Sequence, residues 1–399
     1  MSYITSALQG PDSAVEAGTS DTRWLPGLDP RGAMAARLPR VLQPFLTWLT
    51  AKPLPGEALV QRSPLYFVVV ALLQTFGGVA LAAVALRLSI VPATALLLAG
   101  WLLASAGLGL FQVVVFHHCS HNTVFKTRET NIRVGRLISA ILLFKHFDAY
   151  KAEHMLHHNH KKLLTEEDEF AGFVFGMCRL EPALPKRALW RRVLVNIVSP
   201  RFHLRFLLRR IGGAWRSPDR AHNAIGVGVW VVTTALAVAT GHVTTFLVAW
   251  VFPVVVLLQI ATVFRILCEH RFPDPEMIMA RGKDFASHAT AGVFPGSVPP
   301  TMTPRSLEGA ARWSAWWLDM LTLQLLVRLF VLVGDAPCHD FHHRRPASRR
   351  WTSYIQARQA DLEEGEIGAR VFYQETWGLF RAVDENLASL SRTPHGLVG

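Results

Sequence analysis

Histidine is concentrated in three short stretches of this chain. In FHHCSHNTVF, residues 116–125, His117 and His121 stand four residues apart. On a helix they share one face with Cβ atoms about 5–6 Å apart, close enough for two imidazoles to meet on one metal ion. HMLHH supplies His154, His157 and His158, and HDFHH supplies His339, His342 and His343, with the same i, i+3 and i, i+4 spacings. Neutral imidazole suits iron, zinc, copper and nickel alike, so residue type selects no metal. The number of ligands says more: eight imidazoles are too many for one ion and enough for two. His270 is a candidate ninth. The histidines that stand alone, His146, His203, His222, His242, His288 and His395, are read as structural.

The three stretches need a scaffold, and composition points to a membrane one. Of 399 residues, 51% are hydrophobic and only 18% charged, the balance of an integral membrane protein. The formal charge of +12 would suit a nucleic-acid binder. The basic residues flank apolar runs, however, which is the positive-inside pattern, and no nucleic-acid partner is expected. Cys119, Cys178, Cys268 and Cys338 form no CxxC pair and are read as reduced, buried thiols.

Residues 1–32 are rich in Ser, Ala, Gly and Asp and are expected to be poorly ordered, with no cleavable signal. Residues 35–49 read as an interfacial helix or a linker, interrupted by Pro39 and Pro44. Residues 67–86 and 90–116 are uncharged and reach the ~20 residues that cross a bilayer, with a tight turn at Arg87 and Ser89. The second run is long enough to carry His117 and His121 out of the hydrocarbon. Residues 126–222 are basic and therefore cytoplasmic, with residues 132–147 as a helix in the interface or on the core. Residues 224–239 and 244–267 form a second apolar hairpin, which returns the chain to the same side at Glu269 and His270. Residues 316–333 are apolar but contain Asp319, Gln324 and Arg328, so that helix should lie against protein or the interface. Residues 351–390 read as an amphipathic helical cap with Leu362, Ile367, Val371, Phe372 and Phe380 as its apolar contacts.

The expected fold is an all-α integral membrane protein: four transmembrane helices in two hairpins, with a cytoplasmic helical cap carrying the histidine stretches. Three regions are expected, namely a cytoplasmic N-terminal extension over 1–60, a membrane domain over 61–350 and a cytoplasmic helical segment over 351–399. Both termini and the site would be cytoplasmic, in a bacterial inner membrane.

HHCSH, HMLHH and HDFHH, in that order relative to the apolar runs, resemble the three histidine boxes of the membrane fatty acid desaturase and hydroxylase superfamily. The pair Glu269-His270 is similar to the extra histidine those proteins carry between boxes two and three. The resemblance covers about residues 67–346. It implies a non-haem centre of two iron ions that uses O2 to attack an unactivated C–H bond. Its ligands would be His117, His121, His154, His157, His158, His270, His339, His342 and His343. It also implies a fatty acyl or related lipid substrate, held in an apolar tunnel between the spans, with desaturation as the first reading and hydroxylation as the alternative. The run Glu166, Glu167, Asp168 and Glu169 is similar to an acidic stretch that follows box two in many members; the plain reading is a solvated charge run.

The chain departs from that pattern at several positions. His118 stands where many members have an acidic residue, and is either a partner that orients a ligand or an alternative ligand. His160 is a spare beside box two, and Glu269 a neighbour that could orient His270. Asp335 either orients a ligand, directly or through water, or caps a helix. No haem-binding HPGG, flavin-type GxGxxG or CxxC is present, so electrons would come from a separate ferredoxin, rubredoxin or cytochrome with its reductase. Two rivals fit less well. A metal transporter would carry its ionisable residues in mid-span, and a zinc protease would carry HExxH.

Overall fold

The computed structural model describes residues 29–282, 284–366 and 373–398. Four helices are long and apolar enough to cross a membrane: Pro64–Ala85, Ile90–Ser120, Arg220–Ala239 and Val243–Glu269, here spans 1 to 4. They match the four runs expected from hydropathy. Two of them begin on a cap: the Ser63 side chain accepts from the Tyr66 N–H ahead of span 1, and Asp219 accepts from the His222 N–H ahead of span 3. Each cap satisfies a backbone donor that a helix start leaves open.

The spans divide into an outer and an inner pair. The apolar windows of spans 1 and 3 are only 22% and 17% buried, against 61% and 44% for spans 2 and 4. The outer pair turns Leu73, Phe76, Val231 and Leu236 outward, as a lipid-facing surface requires. The inner pair ends in the histidines. Span 2 winds as a π-helix over Leu110–Phe116, directly before His117, and span 4 does so over Leu247–Val251 and Pro253–Leu257. Such wider turns gather at functional sites.

Spans 1 and 2 meet backbone to backbone. A Cβ on Gly78 would lie 2.3 Å from the Ala104 nitrogen, and one on Gly100 would lie 2.7 Å from the Ala82 nitrogen. Small residues on both faces let the helices approach this closely, the usual means of helix association in lipid.

Outside the spans, the structure refines several expectations. One helix was expected over residues 132–147; instead Arg128–Leu142 ends where Leu143 takes a left-handed φ of 57°, and Phe147–His157 starts anew with the second histidine stretch. The basic segment also contains two helices, Lys186–Val198 and Pro200–Trp215, which bury Leu189, Val193, Phe202 and Phe206 and expose Leu194, Val198, Leu204 and Leu208. Their apolar residues are split between two faces, and the many arginines hide the pattern from hydropathy. Leu307–Phe330 runs as one helix, and Arg328 is buried in it, donating to the carbonyls of Trp48 and Gly334. Its buried side, with Trp316, Met320, Gln324 and Arg328, lies against protein, while Leu318, Leu321 and Leu326 are exposed.

Residues 1–28 of the segment expected to be poorly ordered lie outside the described residues. From Asp29 onward that expectation fails: Asp29 caps Pro30–Arg37, and the buried Arg31 guanidinium donates to Gln43 Oε1, Thr47 Oγ1 and the Lys52 carbonyl. Pro39 splits residues 35–49 into two helices; Leu46 and Leu49 are buried in the protein, while Val41 and Trp48 are exposed. At the other end, Ile367, Val371 and Phe372 lie outside the described residues, and Phe380 is 47% exposed. The cap is instead seated by Leu379, Ala382, Val383, Leu387 and Leu390 of the helix Leu379–Arg392. A single short parallel pair, Gly292–Phe294 with Glu375–Trp377, is the one sheet among the described residues of an otherwise helical fold.

Gly100→Val should overpack the contact between spans 1 and 2 and cost about 1–3 kcal/mol or more. Unfolding of the detergent-solubilised protein measures this; unchanged stability would show that the helices separate freely there.

Candidate metal centre

Four separate segments deliver the clustered histidines. His117 and His121 end span 2, and His154, His157 and His158 end the helix Phe147–His157. His270 follows span 4 in extended backbone, bridged to Thr290, and His339, His342 and His343 lie on the helix His339–Arg344. They interleave. His117, His121, His154 and His342 form one group, and His157, His270, His339 and His343 a second, with the candidate ligand atoms of each group within 4.8 Å of one another. His158 stands between them: its Nε2 is 3.0 Å from His154 Nε2, and its ring is 4.5 Å from both His342 and His343. All nine histidines expected from the sequence are thus brought together.

The nitrogens face inward at short range. His117 and His342 Nε2 are 2.8 Å apart, His121 and His154 3.0 Å, His157 and His270 3.1 Å, and His270 and His339 3.3 Å. Imidazole bonds of about 2.0–2.1 Å to a shared ion, met at near right angles, put two nitrogens about 3 Å apart. The outer faces fix the tautomers. His157 Nδ1 lies 2.8 Å from Asp168 Oδ1, His117 Nδ1 3.2 Å from the Tyr150 hydroxyl, and His342 Nδ1 3.3 Å from the Tyr354 hydroxyl. With Nδ1–H of His157 donated to Asp168, its Nε2 points a lone pair into the cluster. Lone pairs that converge in this way repel one another unless a cation sits between them, so the residues fit a metal centre.

Burial, and then the other imidazoles, push His154, His158, His270, His339, His342 and His343 well below the ordinary histidine value. His121 is pushed down to about 3 by burial and by His118. Burial would raise the Asp168 carboxyl. His157 and the N–H groups of Leu164 and Phe170 outweigh it and hold that carboxyl below its usual range.

The remaining candidates take other places. His118 belongs to neither group: its Nε2 lies 2.9 Å from Asp335 Oδ2, and its ring stacks on Trp351 at 4.3 Å. Asp335 therefore holds His118, and its side chain caps no helix. His160 joins neither group. Glu269 accepts from Arg265 at 3.0 Å and supplies no atom to either group. Of the acidic run, only Asp168 is buried against a histidine; Glu167 pairs with Lys162 and Glu169 with Lys145. Sequence reasoning missed Tyr150, Tyr354 and Trp351, and also Arg358, whose buried guanidinium grips Asp340 at 2.7 Å and so clamps the third histidine helix. Asp340 inside HDFHH was the available signal, because a buried acid needs a partner.

A cavity of about 230 Å³ opens beside both groups, between spans 2 and 4. His117, His154, His157, His270 and His339 are among the residues that line it.

This fold and site define a four-span helical membrane protein with two adjoining, metal-ready histidine groups. Residues 88–325, more than half of the chain, match the family model described as fatty acid desaturase, and the chain belongs to that family. The match ends ahead of His339, so the third box joins the site through the fold and not through the matched segment. No curated protein matches the chain. The family makes it an oxidoreductase of the desaturase and hydroxylase type, with a lipid substrate.

Two outcomes are expected of this site. Asp168→Asn removes the charge that holds His157 and should weaken metal retention about 10–100-fold, read as metal per chain after dialysis against a chelator; full retention would remove Asp168 from that role. The lowered histidine values also set a pH response. Unfolded imidazoles bind protons below ~6.5 and folded ones do so only lower, so the stability of the metal-free chain is complete above that pH. It declines as pH falls toward the folded values. A flat unfolding temperature between pH 8 and 5 would contradict this.

Proposed function

We propose that this protein is an O2-dependent, di-iron desaturase of a fatty acyl chain or related lipid, with hydroxylation on the same scaffold as the alternative outcome. One observation carries the reading: two interleaved four-histidine groups, with His158 between them, stand beside a cavity bounded by the two buried spans. Nine imidazoles and no carboxylate suit a pair of borderline transition-metal ions and leave hard cations such as Mg²⁺ or Ca²⁺ poorly served. The ligands would be His117, His121, His154, His157, His158, His270, His339, His342 and His343. His118, Asp335 and Asp168 would orient the site, and Glu269 would stand beside it.

Two iron ions held there would supply O2 activation and removal of hydrogen from an unactivated C–H bond. The chain itself positions and protects. Tyr150, Asp168 and Tyr354 hold three imidazoles with Nε2 inward. Phe116, Phe170 and Phe173 line the cavity and keep water from the reacting carbon. A substrate seated against spans 2 and 4 is fixed with one carbon near the histidines, which sets the position of attack. Both reactions start from the same hydrogen removal; desaturation then removes a second hydrogen from the neighbouring carbon, and hydroxylation adds an oxygen to the first.

The site and both termini are read as cytoplasmic, in a bacterial inner membrane, because the segment after span 2 is the basic one. A separate ferredoxin, rubredoxin or cytochrome with its reductase would deliver electrons.

Purified protein should carry two irons per chain, and cells expressing it with a suitable donor should convert labelled fatty acids to products lighter by two hydrogens. A gain of one oxygen would make it a hydroxylase; one zinc without iron would sink the reading. His157→Ala should abolish turnover while leaving membrane insertion intact.

A further inference from the structure

The wall of the cavity is largely apolar but carries a polar stripe. Along span 4, Gln259, Thr262, Arg265 and Glu269 recur at helical spacing and all line it, and Gln112 of span 2 joins them. Polar residues inside a membrane span are costly, and this stripe faces the interior.

Two of its members are incompletely paired. Gln259 is 0% exposed; one polar atom of its amide meets His203 Nδ1 at 2.8 Å, and the other has no partner. This holds whichever way the amide is turned. Glu269 is 1% exposed; Oε2 accepts from Arg265, and Oε1 has no partner. A buried polar atom left unpaired is costly, and a plain hydrocarbon chain along this wall would leave one unpaired at both ends of the stripe. Ten residues of helix separate Gln259 from Glu269, about 15 Å along the axis. Glu269 adjoins His270, while Gln259 marks the far end.

From this we infer that the cavity takes a lipid bearing hydrogen-bonding groups, hydroxyl above all, on the segment seated between Gln259 and the histidines, in preference to an unbroken polymethylene chain. The inference rests on the oxidoreductase reading above and names the substrate class of that same site. A hydroxyl can donate to Glu269 Oε1, and it can donate to or accept from the free amide atom of Gln259. The site would then discriminate strongly, because groups built to pair with a hydroxyl are left unpaired by the analogue that lacks one.

The test is binding to the iron-loaded full chain in detergent, by calorimetry. The probes are methyl hexadecanoate and its monohydroxylated counterparts, with the hydroxyl moved stepwise along the chain. At least one counterpart should bind wild type about tenfold more tightly than the parent ester. Gln259→Met should bring that ratio close to one. Thr262→Val, which keeps its shape on the same stripe, should reduce it and guards against a Gln259 variant that fails to fold. Equal binding of parent and all counterparts by wild type overturns the inference, as does a preference that survives in both variants. Such a result leaves the di-iron reading standing if iron and product are found. Conversely, a chain that takes up no iron but keeps the hydroxyl preference overturns the di-iron reading alone.

Discussion

The structure depends on a crowd of imidazole nitrogens held about 3 Å apart in a dry interior. Neutral rings at that distance gain little from one another, and protonated ones would repel, so the cluster has to be imposed by the elements around it. Spans 2 and 4 impose it from one side, since both are buried and both end at the same level in His117 and His270. The helices Phe147–His157 and His339–Arg344 close it from the others. Asp168, Tyr150 and Tyr354 then fix individual rings from behind.

These supports differ in kind, and each answers to its surroundings. In the hairpin of spans 1 and 2, where lipid removes the hydrophobic drive, close backbone contact at Gly78 and Gly100 sets the position of span 2. Outside the spans, buried charge pairs take over. Arg358 holds Asp340, and with it the third histidine helix, while Arg31 gathers the two N-terminal helices. Both guanidiniums are almost fully buried with their donors used, the condition under which a buried charge is tolerated. His118 shows how the surroundings can reassign a residue. Beside His117 in sequence, it is turned onto Asp335 and Trp351 and joins neither histidine group.

The cavity joins the same two spans to chemistry. Its apolar side, from Phe116, Phe170 and Phe173, suits a lipid chain, and its polar stripe on span 4 suits something more than hydrocarbon. Hydropathy averages over a helix and therefore registers span 4 as apolar. Only the direction in which Gln259 and Glu269 face separates a membrane anchor from a recognition surface.

Hydropathy and spacing were enough to locate the spans and the eight clustered histidines, because a bilayer demands about twenty apolar residues and imidazoles one helical turn apart can meet; His270 was singled out by its place after span 4. Local sequence could not say how the histidines divide. The two groups draw on boxes far apart in the chain, and π-helical winding at Leu110–Phe116 rotates the end of span 2 away from any face a regular period would give. Nor could it find the amphipathic helices Lys186–Val198 and Pro200–Trp215, whose arginines mask their apolar faces, or the role of Asp168, which reads as one of four acids until burial singles it out. Residue type and spacing determined which chemistry this chain can hold. Tertiary structure decided which nitrogens meet, which acid supports them and what lines the cavity, because each depends on contacts between segments that sequence alone leaves unconnected.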